Sequence, residues 1–85
     1  YNLYQNFPNP FNPETKIKFD IPKEGPVTLK VFDITGKELS EVINENLIPG
    51  TYNITFDGSE LNSGVYFYKI ESKDFTETKR MILIK

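Results

Sequence analysis

Only the carboxylates of this chain have the makings of chemistry. Its 85 residues contain no histidine, cysteine or tryptophan. That removes the commonest general base, the thiol nucleophile, the usual zinc ligand sets and the best cation–π platform. Paired carboxylates can divide acid and base work or hold a cation, and two groups invite the test. Glu38, Glu41 and Glu45 cluster in sequence, while Asp57 and Glu60 flank a Gly-Ser turn. Neither group has the D-x-[DN]-x-[DN]-G spacing of a calcium loop. Solvated charges on turns and outward strand faces account for both. No glycine array resembles a phosphate-cradling loop, and Asn53-Ile54-Thr55 fits the N-glycosylation pattern but lies inside a predicted strand, which makes the match a coincidental one. The residues therefore predict no enzyme activity, no cofactor and no metal.

Aromatic stacking on sugar is the other chemistry to weigh, with Tyr1, Tyr4, Phe7 and Phe11 as the set. A chain this short buries only roughly 60 to 65% of its unfolded surface, so its aromatics are needed inside. Burial is the stronger expectation. The composition, 38% hydrophobic and 26% charged, belongs to a folded domain rather than a disordered tail. Without cysteine, no disulfide framework braces it, and redox compartment cannot be read from it.

The net charge of −2 conceals an asymmetry. Residues 38 to 60 carry acidic side chains and no Lys or Arg, whereas Lys69, Lys73, Lys79, Arg80 and Lys85 outnumber the acids of the last segment. That field is too weak for nucleic acid, whose binders show a clustered basic face. No apolar run is long enough to span a bilayer as a helix and no signal peptide is evident. A start at Tyr1 rather than Met suggests a piece of a longer protein.

The elements that must position these side chains read as strands. In "TKIKFDI" (15 to 21), Ile17, Phe19 and Ile21 alternate with Lys16, Lys18 and Asp20. "PKEGP" turns the chain, and "VTLKVFDI" (27 to 34) sets Val27, Leu29 and Val31 against Thr28, Lys30 and Phe32. Asp33 to Gly36 suits a type I turn before a strand through Leu39 to Ile43. A short helix over "EVINENL" is the alternative there, disfavoured by its asparagines and β-branched residues. "PGTYNITF" restores alternation through Tyr52, Ile54 and Phe56, and "VYFYKIE" sets Tyr66, Tyr68 and Ile70 against Val65, Phe67 and Lys69. Lys73-Asp74 turns once more. The apolar run Met81 to Ile84 predicts a last strand covered on both faces or paired at the centre of a sheet.

Including a short strand around Leu3 and Tyr4, that makes about seven strands, the number of an all-β, immunoglobulin-like Greek-key sandwich in a single domain over residues 1–85. Tyr66 stands near the start of the penultimate strand, two residues before the site where antibody domains carry their second cysteine, here Tyr68. It either forms a tyrosine corner or simply fills the core. The stretch "FPNPFNP" (7 to 13) cannot donate to a ladder at Pro8, Pro10 or Pro13. It is expected to carry the chain from the first strand to the strand at Ile17, with Asn9 and Asn12 bonding turn backbone and Phe7 or Phe11 plugging the end of the sandwich.

Four stretches carry a resemblance in order along the chain: "LYQNFPNPFNPETKIKF", "VTLKVFDITGKEL", "PGTYNITFDGSELNSGVYFYKIE" and "FTETKRMILIK". Together they resemble the type A C-terminal sorting domain of proteins exported by the type IX (Por) secretion system of Bacteroidetes and related bacteria. The resemblance implies a non-catalytic module that addresses an N-terminally fused cargo, by way of the periplasm, to an outer-membrane translocon. The cargo is then destined for the cell surface or the exterior, where a sortase-like peptidase commonly removes the domain, cutting before or near Tyr1. By the same analogy the translocon reads mainly the C-terminal end, which maps onto Gly64, Tyr66, Lys79, Arg80 and Lys85. For the three basic residues, edge-strand protection against aggregation is a compatible role. The strands are also similar to the immunoglobulin-like domain of the flagellar hook-capping protein, which would make the chain an assembly scaffold. An adhesive or sugar-binding accessory module of a secreted hydrolase is the third reading. Whether sheet edges pair into a dimer is open.

Overall fold

Alternation settles the first long strand. Thr15, Ile17, Phe19 and Ile21 of β2 (Glu14–Ile21) point inward and are buried, and the lysines between them are exposed. The computed structural model describes all of residues 1–85. It is built of β1 (Asn2–Leu3), β2, β3 (Gly25–Phe32), β4 (Glu38–Leu47), β5 (Gly50–Asp57), β6 (Gly64–Ser72) and β7 (Thr76–Leu83), without a helix. Two antiparallel sheets form the sandwich, one ordered β1-β2-β5 and the other β4-β3-β6-β7. Neighbours that are not consecutive, β2 with β5 and β3 with β6, are the crossovers of the expected Greek key. Sixteen side chains pack between the sheets as one core, among them Phe11, Phe19, Leu29, Tyr68, Met81 and Leu83.

The helical alternative for "EVINENL" does not occur: those residues continue β4 to Leu47. Pairing with β3 slips at Leu29/Lys30, where Ile43 opposes Leu29 and Glu41 opposes Lys30. Val42 is thus the extra residue of a bulge. That bulge produces the adjacent apolar pair Val42-Ile43, and Ile43 and Leu47, four apart, share a strand face as readily as a helix face. The β3–β4 connection is the expected turn. Asp33 Oδ1 accepts from the Thr35 amide, the Thr35 hydroxyl and the Lys37 amide, which hold its carboxyl below the usual value, the hydroxyl contributing most. Gly36 takes φ +89°, the left-handed conformation that closes a type I turn into the next strand.

One expectation needs correction. β7 is neither central nor covered on both faces: it is the edge of its sheet, pairing in antiparallel register with β6 alone among the strands. Met81 and Leu83 face the core, Ile82 lies half-buried on the outer face opposite Val65, and Ile84 is exposed. The apolar run reflects a different partner, the N-terminal proline segment.

Candidate functional site

The segment from Gln5 to Pro13 is a strap that crosses from one sheet to the other. It begins alongside β2, where Phe7 and Lys16 exchange backbone hydrogen bonds of 3.0 and 2.9 Å. It then passes to the outer edge of β7. The Phe11 amide donates to the Ile82 carbonyl and the Ile84 amide to the Phe11 carbonyl, both at 2.9 Å. Side chains complete the seal, since Asn9 Oδ1 accepts the Ile82 amide at 3.0 Å and the Gln5 amide donates to the Arg80 carbonyl at 2.6 Å. The Phe11 ring is buried at the end of the sandwich, edge-on to Phe56 with centroids 6.2 Å apart. Phe7 is 80% exposed, so the plug is Phe11 alone. The peptide bonds before Pro8, Pro10 and Pro13 are all cis.

Buried polar atoms fasten the strap. Asn6 and Thr15 are both buried: the Asn6 amide group donates to Thr15 Oγ1 at 3.0 Å and to the Pro8 carbonyl at 3.2 Å, and the Thr15 hydroxyl donates to that carbonyl at 2.8 Å. From the opposite sheet the Tyr68 hydroxyl accepts the Asn6 backbone amide at 2.8 Å and donates to the Tyr4 carbonyl at 2.7 Å. Burial pushes that hydroxyl up to about 12. No buried side-chain polar atom is left unpaired, as a low-dielectric interior requires. Sequence reasoning missed Tyr68, Asn6 and Thr15 as a unit. The available signal was a tyrosine on the core face of a strand, whose hydroxyl needs a partner once buried.

Of the residues expected to be read, Gly64, Tyr66 and Lys85 come together at one end. Gly64 opens β6 opposite Leu83. Tyr66 is buried and also donates its hydroxyl to the Asn62 carbonyl at 2.6 Å, four residues upstream, so it fills the core and forms the tyrosine corner at once. Lys85 is tied to the same loop, its amide donating to Ser63 Oγ at 2.9 Å and its ammonium to the Ser59 carbonyl at 2.5 Å. The loop is anchored below by the Gly58 amide on the Pro13 carbonyl at 2.8 Å. Lys85 is therefore held in place rather than trailing.

Lys79 and Arg80 lie about 17–20 Å back along β7 and are parted by the pleat. Lys79 is on the inner side with its ammonium 3.2 Å from Glu77. Arg80 is exposed on the outer side, across from Phe67. Near it Phe32, Ile34, Phe67, Lys69 and Thr78 line a shallow groove of about 350 Å³. At the opposite end of the strands, Tyr1 stacks on Phe75 at 5.1 Å beside a cleft of about 420 Å³ bordered by Lys23, Glu24, Lys73 and Asp74.

The four aromatics weighed for sugar stacking form no platform. Phe11 is buried and Tyr1 is engaged with Phe75. Over the Tyr4 ring lies the Lys18 ammonium, 4.9 Å from its centroid. The Tyr4 hydroxyl donates to Asp20 at 2.6 Å and is thereby raised, while Asp20, which also accepts from Thr51 and Asn2, is lowered. These contacts brace β1, β2 and β5 side by side. No three carboxylates converge to hold a cation.

A family model described as a secretion system C-terminal sorting domain matches residues 5–85. No curated protein matches the chain.

Proposed function

Because the chain belongs to the family of type IX secretion system C-terminal sorting domains, we propose that it is a non-catalytic address, carrying a protein fused to its N-terminus through the outer-membrane translocon to the cell surface or exterior. The observation that carries this reading is the family match, which runs from Gln5 to Lys85 and so takes in the strap and the pinned C-terminal end. The readable surface is the C-terminal end of β7 with its supporting loop. Lys85 supplies a cation at a defined place and Arg80 supplies one on the outer face. Lys79 adds a third on the inner side. Gly64 and Tyr66 act beneath them, fixing the β5–β6 loop whose carbonyls at Ser59 and Asn62 receive the Lys85 ammonium and the Tyr66 hydroxyl. A passive address works by shape: Lys85 and Tyr66 are hydrogen-bonded to the β5–β6 loop, Lys79 is ion-paired with Glu77, and Arg80 stands exposed on a paired strand.

Passage through the periplasm and removal by a sortase-like peptidase at a site upstream of the fold complete the proposal. The pairing of β1 with β2, which begins at Asn2 opposite Asp20, supports a cut before or near Tyr1. The test is to fuse residues 1–85 to the C-terminus of a reporter delivered to the periplasm of a host that has the type IX system. Reporter at the surface or in the medium is the expected result, and reporter retained in the periplasm overturns it.

A further inference from the structure

The strap leaves half of the β7 edge open. The backbone groups of β7 that turn away from β6 belong to alternate residues, as the bonds to Arg80, Ile82 and Ile84 show. The strap occupies them from the Arg80 carbonyl onward. The outward groups of Thr76 and Thr78 and the Arg80 amide have no partner in the fold, forming a five-residue stretch of bare edge, Thr76-Glu77-Thr78-Lys79-Arg80.

That stretch is complementary to itself. We propose that it pairs with the same stretch of a second copy of this chain, antiparallel about a two-fold axis at Thr78. In that register Thr78 faces its counterpart and the two exchange both outward bonds, while Thr76 faces Arg80: the Arg80 amide donates to the Thr76 carbonyl, and the Thr76 amide shares, through its second lone pair, the Arg80 carbonyl that already accepts from Gln5. Glu77 then stands opposite Lys79, and Lys79 opposite Glu77, with Cβ atoms about 4.5–5.5 Å apart. Both side chains lie on the inner side of the strand and are half-exposed, already within 3.2 Å of each other along it. An inward lysine normally protects an edge, because a foreign strand would have to bury it unpaired. Against a second copy in this register the protection cancels, since each cation meets an anion. The register is also limited in length: at one end of the bare stretch stands the strap, at the other the Lys73-Asp74 turn. An isologous contact of this kind closes as a dimer and does not propagate. It joins two four-stranded sheets into one of eight. With five residues a side the contact falls below about 1,000 Å², so it belongs to the weak class, with a Kd of roughly 0.1–1 mM.

The experiment is a concentration series of the 85-residue chain by sedimentation and by amide NMR. Association with a Kd near that range is expected, with concentration-dependent shifts confined to Thr76 through Arg80 and their neighbours. A chain monomeric at about ten times that concentration, or one whose shifts lie elsewhere, overturns the proposal. Glu77→Lys and Lys79→Glu are each expected to weaken self-association at least ~10-fold by setting like charges opposite. Mixing the two variants restores opposite charges at both contacts and should recover association. Failure of the mixture to recover it, with both variants folded by their amide spectra, overturns the register. Where a reversal disturbs the fold, Glu77→Gln serves instead and should weaken pairing by about threefold.

Discussion

Asn6 and Tyr68 stand 62 positions apart, yet a single buried hydrogen bond of 2.8 Å joins the backbone amide of one to the phenolic oxygen of the other. The same oxygen donates to the Tyr4 carbonyl at 2.7 Å, so one hydroxyl fastens the N-terminal strap of the first sheet to the centre of the second. Tyr68 occupies the place where antibody domains carry a cross-linking cysteine. In this chain a polar tip on a large apolar side chain joins the sheets without a covalent bond.

Tyr68→Phe is therefore expected to destabilise the chain by about 1–3 kcal/mol. It keeps the ring and leaves the buried Asn6 amide and the part-buried Tyr4 carbonyl without their partner. The loss is local first. Amide exchange at Asn6 should accelerate more than exchange at Ile70, with the global loss read from the denaturant midpoint. A variant with unchanged stability and unchanged Asn6 protection would show that the hydroxyl carries no weight.

The raised Tyr68 hydroxyl gives the fold an alkaline limit. Its ordinary value is 10.0 and in the folded chain it is about 12. The proton is held more tightly when folded, so this contribution is complete below pH 10 and disappears as pH rises from 10 toward 12. Denaturant midpoints measured across that window should fall for the natural chain. The difference from Tyr68→Phe should shrink over the same interval, since the variant has no proton to lose there.

The two phenylalanines of the strap should respond oppositely. Phe11→Ala removes a ring that is 1% exposed and packed on Phe56, at an expected cost of about 3–5 kcal/mol, enough to leave so small a domain marginal. Phe7→Ala removes a ring that is 80% exposed and should change stability by no more than about 0.5 kcal/mol. Thermal unfolding of the pair checks the contrast.

Gly58 is held to glycine by the same plug. A Cβ there would meet the Phe11 ring at 3.2 Å, the Leu83 side chain at 3.3 Å and the Pro13 carbonyl at 3.5 Å. Gly58→Ala should cost about 1–3 kcal/mol by overpacking, and combining it with Phe11→Leu should recover part of that loss. Additive costs in the double variant would separate the two sites.

Local pattern alone determined the strands of this protein. Period-two alternation in "TKIKFDI", "VTLKV" and "VYFYKI" leaves one way to bury Ile17, Leu29 or Tyr68, and Asp33 with Gly36 specifies its own turn, because these effects act between residues a few positions apart. The four ordered stretches likewise carried the family resemblance by themselves. Tertiary structure decided what each strand is next to. The apolar run Met81 to Ile84 looks the same whether its outer partner is a strand or a strap, and only the fold shows Phe11 bonded to Ile82 and Ile84. The pleat, too, takes neighbours apart: Lys79 and Arg80 are adjacent in sequence and face opposite sides of one sheet. Lys85 and Ser59, 26 positions apart, end up bonded to each other. Hydrogen bonds satisfied across such distances leave no periodic trace in a sequence, and they set both the end of the molecule that is held rigid and the length of β7 edge left bare.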